Sequence, residues 1–353
     1  MGRLAGHIEK ARADRVAVRT LLALPGARLI AAVGGARAGP VSEEMAGLDP
    51  EAVLAGWREA GAWTVCRHSS GYPPRLAVLP DPPAALHVVG PPARLPELAG
   101  APAVALVGAR RCSPEGARIA AGLGRGCSAA GVTVVSGMAL GVDAAAHRGA
   151  LESGGATVAV LAGGPERAYP ARWRRLHAEI ASRGAVVSEL PPGTPSFRWG
   201  FPARNRIIAA LSGLVVVVEA AARSGSLITA EIAADLGVTV GAVPGAPGSP
   251  LAEAPNELIR DGAVLVRDAA DVLEELVGIR PREAPATEIE PELAEVAELV
   301  AAGVGSTEEI ALRVGHGAAV LSSLTRLELL GVVERLGPGR YAPGAAPWRV
   351  AGR

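Results

Sequence analysis

Aromatic side chains are scarce in this chain, with Trp 5, Tyr 3 and Phe 2 among 353 residues. Val, Leu, Ile and Ala must therefore fill the core, and any local gathering of rings is informative. Lysine is scarcer still: Lys10 stands alone, and arginine carries the rest of the positive charge. Arginine suits planar, bidentate contacts with phosphate, but a biased base composition gives the same usage, so the bias decides nothing by itself. Cysteine is limited to Cys66, Cys112 and Cys127, an odd number without CxxC spacing, which argues against a disulfide framework and a zinc site. No metal and no cofactor is expected. No apolar run approaches the roughly 18 residues of a membrane span, and Leu214–Val218 reads instead as a buried strand. Arg3, Glu9, Lys10, Arg12, Asp14 and Arg15 interrupt the N-terminus where a signal peptide would be apolar. A cytoplasmic protein without membrane insertion is expected.

Hydrophobic residues make up 49% and charged residues 20%, the balance of a well-buried globular protein. Lys+Arg 35 cancels Asp+Glu 35, which argues against a wholly basic nucleic-acid protein. A local arginine patch remains open, because the field in a groove depends on where charges sit.

The length suits two or three domains. Residues 1–70 read as a helical domain, in which Leu21–Gly26 resembles a SAM-like or helix-hairpin-helix turn, with a helical cap for assembly equally open. Residues 71–278 form the main domain and 279–291 a Pro/Glu-rich linker. Within residues 292–345, helical segments lead to Ser306, placed to cap a helix with Glu309 three residues later. Gly315-His316-Gly317 then opens a third helix, and a hairpin across Gly337-Pro338-Gly339 completes a winged-helix order. That third helix shows little positive charge beyond Arg326, so docking to protein is as open as reading DNA.

The main domain alternates short apolar runs with helical segments. Val104–Val107, Thr133–Val135, Thr157–Leu161, Ala185–Val187, Leu214–Val218 and Thr239–Val243 do not alternate in polarity, as expected for strands covered on both faces. The expected fold is α/β, a Rossmann-like parallel sheet with helices on both faces. Ligands bind such sheets beyond the carboxyl ends of the strands. Small or polar residues recur there: Gly108 and Arg110 after the first run, Ser136, Gly137 and Gly141 after the second, Ser224-Gly225-Ser226 after the fifth. Glycine turns at helix starts let backbone amides approach an anion. A dinucleotide site is disfavoured, because no GxGxxG follows the first strand, and no Walker lysine exists.

The densest cluster is Phe197-Arg198-Trp199-Gly200-Phe201-Pro202-Ala203-Arg204-Asn205-Arg206. Arginine neutralises phosphates and an aromatic face stacks a base. The alternative has Phe197 and Trp199 packing the loop onto the domain, and Arg204 or Arg206 paired with Glu189 or Glu219. Asp143 reads as a turn ligand or cap, and His147 as a hydrogen-bonded packing residue.

In chain order, Val107-Gly108-Ala109-Arg110, Ser136–Asp143 with His147, Tyr169-Pro170, Ser188-Glu189 and Phe201–Arg206 resemble the DprA/Smf (DNA-processing protein A) family. So do Glu219-Ala220, Ser224–Ala230 and Ala242-Val243-Pro244-Gly245, a coverage from Tyr72 to Val266. The resemblance implies a non-enzymatic, single-stranded-DNA-binding protein of natural transformation. Such a protein protects incoming DNA and helps load the RecA recombinase, usually as a homodimer. It also implies phosphate contacts from Arg110 and Arg204–Arg206, flanked by Arg198 and Phe201. The family's groove lysines have no match here, so arginines must serve. Ala109, Pro165-Glu166 and Ala254 also depart from the family pattern, which bears on local loop geometry. The competing resemblance is to nucleotide phosphoribohydrolases, whose turn carries a Glu that assists N-glycosidic cleavage. Thr229 takes that place here, and a threonine cannot act as a carboxylate base near neutral pH.

Overall fold

The computed structural model describes residues 28, 30–31, 35–222, 224–278, 287–315, 317–344 and 346–351. The Leu21–Gly26 turn, His316 and most of the expected linker lie outside the described residues. The chain divides into two units, Met1–Ile279 and Arg280–Arg353.

In the first unit, α1 (Ala38–Ala46) and α2 (Pro50–Glu59) precede a nine-stranded sheet. Pro50 suits the first turn of α2, where a missing N–H costs little, and Asp49 caps it by accepting from the Glu51 amide at 3.0 Å. The chain continues through β1 (Ala62–Cys66), α3 (Pro74–Ala77), β2 (Ala85–Val89), α4 (Arg94–Gly100) and β3 (Ala103–Val107). Next come α5 (Pro114–Ala129), β4 (Thr133–Ser136), α6 (Val142–Glu152), β5 (Thr157–Val160), α7 (Arg174–Arg183) and β6 (Ala185–Ser188). The remainder is α8 (Gly200–Leu211), β7 (Leu214–Val217), α9 (Gly225–Asp235), β8 (Thr239–Ala242), α10 (Glu253–Arg260), β9 (Val264–Leu265) and α11 (Ala269–Val277).

The strand order is β1-β2-β6-β5-β4-β3-β7-β8-β9, with β1–β2 and β2–β6 antiparallel and the rest parallel. Strands β3 to β7 are buried along their whole lengths, as a sheet covered on both faces requires. Successive side chains serve opposite faces. Val104 and Leu106 pack with Leu123 of α5, Ala146 of α6 and Leu273 of α11. Ala105 and Val107 pack with Ile207 and Ile208 of α8 and Ala233 of α9.

The six expected strands are all present. The expected break at residue 70 is corrected, because β1 pairs with β2 from Ala62↔Val89 to Cys66↔Ala85 and so belongs to the sheet. Prolines made this stretch read as irregular, yet they lie outside its strands. Pro74 starts α3, Pro82-Pro83 precede β2, and Pro91-Pro92 follow it.

The second unit contains β10 (Thr287–Ile289), α12 (Pro291–Ala301), α13 (Thr307–Val314) and α14 (Gly317–Leu329). They are followed by β11 (Val333–Gly337), β12 (Arg340–Pro343) and β13 (Trp348–Val350). Ile289, Leu293, Val296, Ile310, Leu324 and Leu327 build its own core. The three helices and the antiparallel β11–β12 hairpin follow the winged-helix order, and β10 pairs in parallel with β13. Ser306 stands at the cap position of α13, but its side chain makes no capping bond. Backbone bridging to Arg340 fixes that end instead, and the Thr307 amide donates to the Gly339 carbonyl at 2.9 Å.

Gly124 and Gly149 let α5 and α6 meet at backbone distance. A Cβ on Gly149 would lie 1.9 Å from the Ala121 carbonyl oxygen, and one on Gly124 2.3 Å from that of Ala146. Helix contact thus accounts for Gly124 within the glycine run Gly122–Gly126. Gly149→Val is expected to lower the unfolding free energy by about 1–3 kcal/mol or more through overpacking. Urea titration measures this, and an unchanged midpoint would contradict it.

Candidate nucleic-acid interface

From β3 the chain adds β4, β5 and β6 on one side, then returns to lay β7, β8 and β9 on the other. The β3/β7 boundary is therefore the point where the winding reverses, and a crevice opens beyond the strand ends there. The groove has a volume of about 680 Å³. Gly108, Arg110 and Arg111 line it from the turn after β3, and Tyr169 and Arg198 from two further loops. Phe201, Arg204 and Asn205 come from the first turns of α8, and Ser224, Gly225, Ser226 and Thr229 from the start of α9.

Its floor is held by a buried guanidinium. Arg204 is 8% exposed, and its Nη1 donates to the carbonyl oxygens of Gly137 and Val160. Its Nε donates to Asn205 Oδ1 at 3.3 Å, while Asn205 Nδ2 donates to the Gly225 carbonyl at 3.3 Å. The β4–α6 turn, the end of β5, α8 and the start of α9 are thereby tied together. Burial pulls the Arg204 pKa down to about 10, with the nearby Asp143 carboxylate opposing and Arg110 adding to the fall. The group stays charged at neutral pH.

Asp143 accepts from the amides of Gly137 at 3.1 Å and Ala139 at 3.3 Å. These bonds flank Met138, a left-handed residue at φ 54, whose backbone strain of about 1–3 kcal/mol needs such support. Burial pushes the Asp143 carboxyl upward against the pull of Arg204. Gly141, at φ 75, closes the same turn; a Cβ there would lie 2.2 Å from the Ala109 carbonyl oxygen, so the turns after β3 and β4 touch. His147 lies fully buried one turn below. Thr157 Oγ1 donates to the Val134 carbonyl, so the 2.8 Å contact with His147 Nδ1 requires the imidazole to donate. Nε2 is then a bare acceptor without a partner among the described residues.

The rim differs in kind. Arg110, Arg111 and Arg198 are exposed, and none enters an ion pair found among the described residues. The Arg110 guanidinium lies 5.1 Å from the Phe201 ring centroid, and Tyr169 leans on Phe201 at 5.3 Å. Phe197 and Trp199 stack on each other at 5.9 Å and remain 43% and 60% exposed. They pair with one another in the open, contrary to the alternative in which they pack the loop down.

The helix starts of α5 and α9 at this edge are not equivalent. At α5, Glu219 accepts from the Ser113 amide at 2.8 Å and from the Ser113 hydroxyl. A protein carboxylate thus fills the place where a dinucleotide fold seats its pyrophosphate. At α9, Ser224 accepts only weakly from the Ser226 amide at 3.4 Å, and Ser224, Gly225 and Ser226 front the groove.

Of the residues singled out in the sequence, Gly108, Arg110, Arg198, Phe201, Asn205, Ser224, Gly225 and Ser226 converge on the groove. Ser136 is buried and donates to the Leu106 carbonyl at 2.6 Å, while Gly137 and Gly141 shape the turn beneath. The role expected of Arg204 is corrected: two of its nitrogens are committed to protein oxygens, so it braces the floor. Arg206 is corrected too, because it pairs with both oxygens of Glu189 at 2.8 and 2.9 Å and donates to the Asp81 carbonyl, away from the groove. Arg111 and Tyr169 were not picked out as site residues. Adjacency to Arg110 was the available signal for Arg111; Tyr169 carried none beyond its motif.

Arg204→Met is expected to cost about 3–5 kcal/mol of stability by leaving Asp143 buried without its cation, read from urea midpoints. His147, whose pKa burial lowers to about 3 from 6.5, binds its proton in the unfolded chain first. Stability is therefore full above pH 6.5 and falls as pH drops from there toward 3. His147→Gln is expected to flatten that slope; an identical slope in both proteins would contradict the assignment.

Residues 63–277 match the family described as DNA recombination-mediator protein A. A Mycobacterium tuberculosis relative bearing the DprA name is 40% identical over 279 residues, covering 73% of this chain and 71% of its own. The crystal structure of DNA processing protein A from Streptococcus pneumoniae superposes with a TM-score of 0.65 at 35% identity, covering 72% of this chain and 87% of that one. The Helicobacter pylori protein, described for its single-stranded-DNA binding mode, superposes with a TM-score of 0.55 at 28% identity, covering 62% and 96%. The match begins at the strand that the expected domain break had cut off, and over half of its length this chain belongs to the DNA recombination-mediator protein A family.

Proposed function

We propose that the groove at the β3/β7 boundary binds single-stranded DNA without reading its sequence. The observation that carries this is the rim: three arginines without carboxylate partners among the described residues, beside exposed rings, in a chain with so few rings. Arg110, Arg111 and Arg198 supply the charge for backbone phosphates. The start of α9 adds amides and a favourable helix dipole for one more. Phe201, Tyr169 and the Phe197–Trp199 pair offer faces to unpaired bases, which a duplex keeps stacked on each other. The single-stranded-DNA binding mode of the Helicobacter pylori relative supports the same reading.

In this reading the protein covers DNA entering the cell and passes it to a RecA-type recombinase, working as a homodimer. The mediator role in the family's description supports the hand-over. Glycosidic hydrolysis is disfavoured by the chemistry of the groove. Thr229 is 2% exposed and offers only a hydroxyl, and Asp143, the carboxylate among the lining residues, is committed to two amides.

Fluorescence anisotropy with a labelled oligothymidylate tests the proposal. Arg110→Ala and Arg198→Ala are each expected to weaken binding and to reduce the slope of log K against log salt by about 0.7, the single-strand value per phosphate. Phe201→Ala is expected to cost about 1–3 kcal/mol if a base stacks there. Unchanged affinity and slope in both arginine variants would overturn the proposal.

A further inference from the structure

A second cavity, of about 480 Å³, lies on the flank of the same unit. Arg148 and Glu152 of α6, the turn Ala171–Trp173, and Arg175, Glu179 and Arg183 of α7 form its walls. Trp173 packs against the core around Leu151, Leu176 and Ile180, and the Arg148 guanidinium lies 4.4 Å from its ring centroid. The Trp173 Nε1 is buried without a partner among the described residues. Both carboxylates of the cavity are already matched, Glu152 with Arg125 at 3.0 Å and Glu179 with Arg175 at 3.1 Å. Arg183 donates to the Leu151 carbonyl at 2.9 Å. Arg148 and Arg172 are exposed and enter no ion pair found among the described residues. The cavity is therefore net positive. A guanidinium stacked on a ring still presents its N–H edge, the geometry that grips a phosphate in bidentate fashion.

Two chain segments lead from the groove to this cavity. Tyr169 lines the groove, and the next turn of chain carries Arg172 and Trp173 into the cavity wall. Helix α6 starts at the groove floor with Asp143, and Arg148 follows about 7.5 Å along its axis at 1.5 Å per residue. We infer that a DNA strand held in the groove continues past Tyr169 into this cavity, where Arg148 and Arg172 take the phosphates of nucleotides beyond the groove. The inference rests on the single-stranded-DNA reading of the groove and extends its path.

Anisotropy of the full chain with labelled oligothymidylates of about 6 and about 20 nucleotides separates the two stations. The double variant Arg148→Ala/Arg172→Ala is expected to bind the short strand within about twofold of the native chain while its salt slope for the long strand falls by about 1.4, two phosphates' worth. Arg148→Lys/Arg172→Lys should restore most of that slope. Long-strand binding unchanged in affinity and slope, with the short strand still bound by the native chain, overturns the extended path and leaves the groove intact. Equal weakening of both lengths also overturns it, since the variant would then act on the groove itself. If the native chain binds neither length, the groove reading falls and this inference with it.

Discussion

A guanidinium buried beneath the open end of a parallel sheet is expensive, costing several kcal/mol in lost hydration unless the surroundings replace the water. Arg204 meets that condition with carbonyls from the β4–α6 turn and the end of β5, an amide oxygen from its neighbour Asn205, and the field of Asp143. Because those partners come from separate segments, satisfying one cation fixes the relative positions of them all. The left-handed Met138, the contact of Gly141 with Ala109, and the link from Asn205 to the start of α9 are set by the same network. The groove's shape is thus a consequence of electrostatic satisfaction below it, and the exposed arginines above are left for a ligand.

This arrangement bears on how a chain of zero net charge can present unpaired arginines at one groove. Twelve of its arginines enter ion pairs among the described residues, Arg206 with Glu189, Arg125 with Glu152 and Arg267 with Asp271 among them. Exposed arginines without an ion pair among the described residues gather at the groove rim and in the cavity on α6 and α7. Glu219 adds a complementary device: by capping α5 from inside, it fills the one helix start that a nucleotide's diphosphate would otherwise favour. The second unit carries nine Glu against five Arg between Thr287 and Ala351, so its balance is acidic. Its exposed Leu312 and Leu329 suit contact with protein better than with phosphate.

Strands β3 to β8 were legible in the sequence because each is a short, non-alternating and mostly apolar run, fully buried in β3 to β7, a pattern with few alternatives. Strands β1 and β2 were not, because their pairing is non-local and the prolines around them mask two five-residue runs. At the groove, motif order named Arg110, Phe201 and Ser224–Ser226, which line it together. It could not separate Arg204 and Arg206 from Arg198, since arginines clustered within nine residues of sequence look alike until burial is known. Arg204 points inward toward Asp143, Arg206 turns to Glu189, and Arg198 stays in solvent. Ser306 failed as a capping residue for a related reason: a backbone bridge to Arg340 had already fixed that helix end.

Photo-crosslinking tests the central claim most directly. The native chain is irradiated with an oligonucleotide bearing 5-iodouracil, and the attached peptides are identified by mass spectrometry. The account predicts attachment at Tyr169 and within Phe197–Phe201, suppressed by excess unlabelled single strand and by high salt. Attachment confined to α14 or the β11–β12 hairpin, with none around the groove, would contradict it.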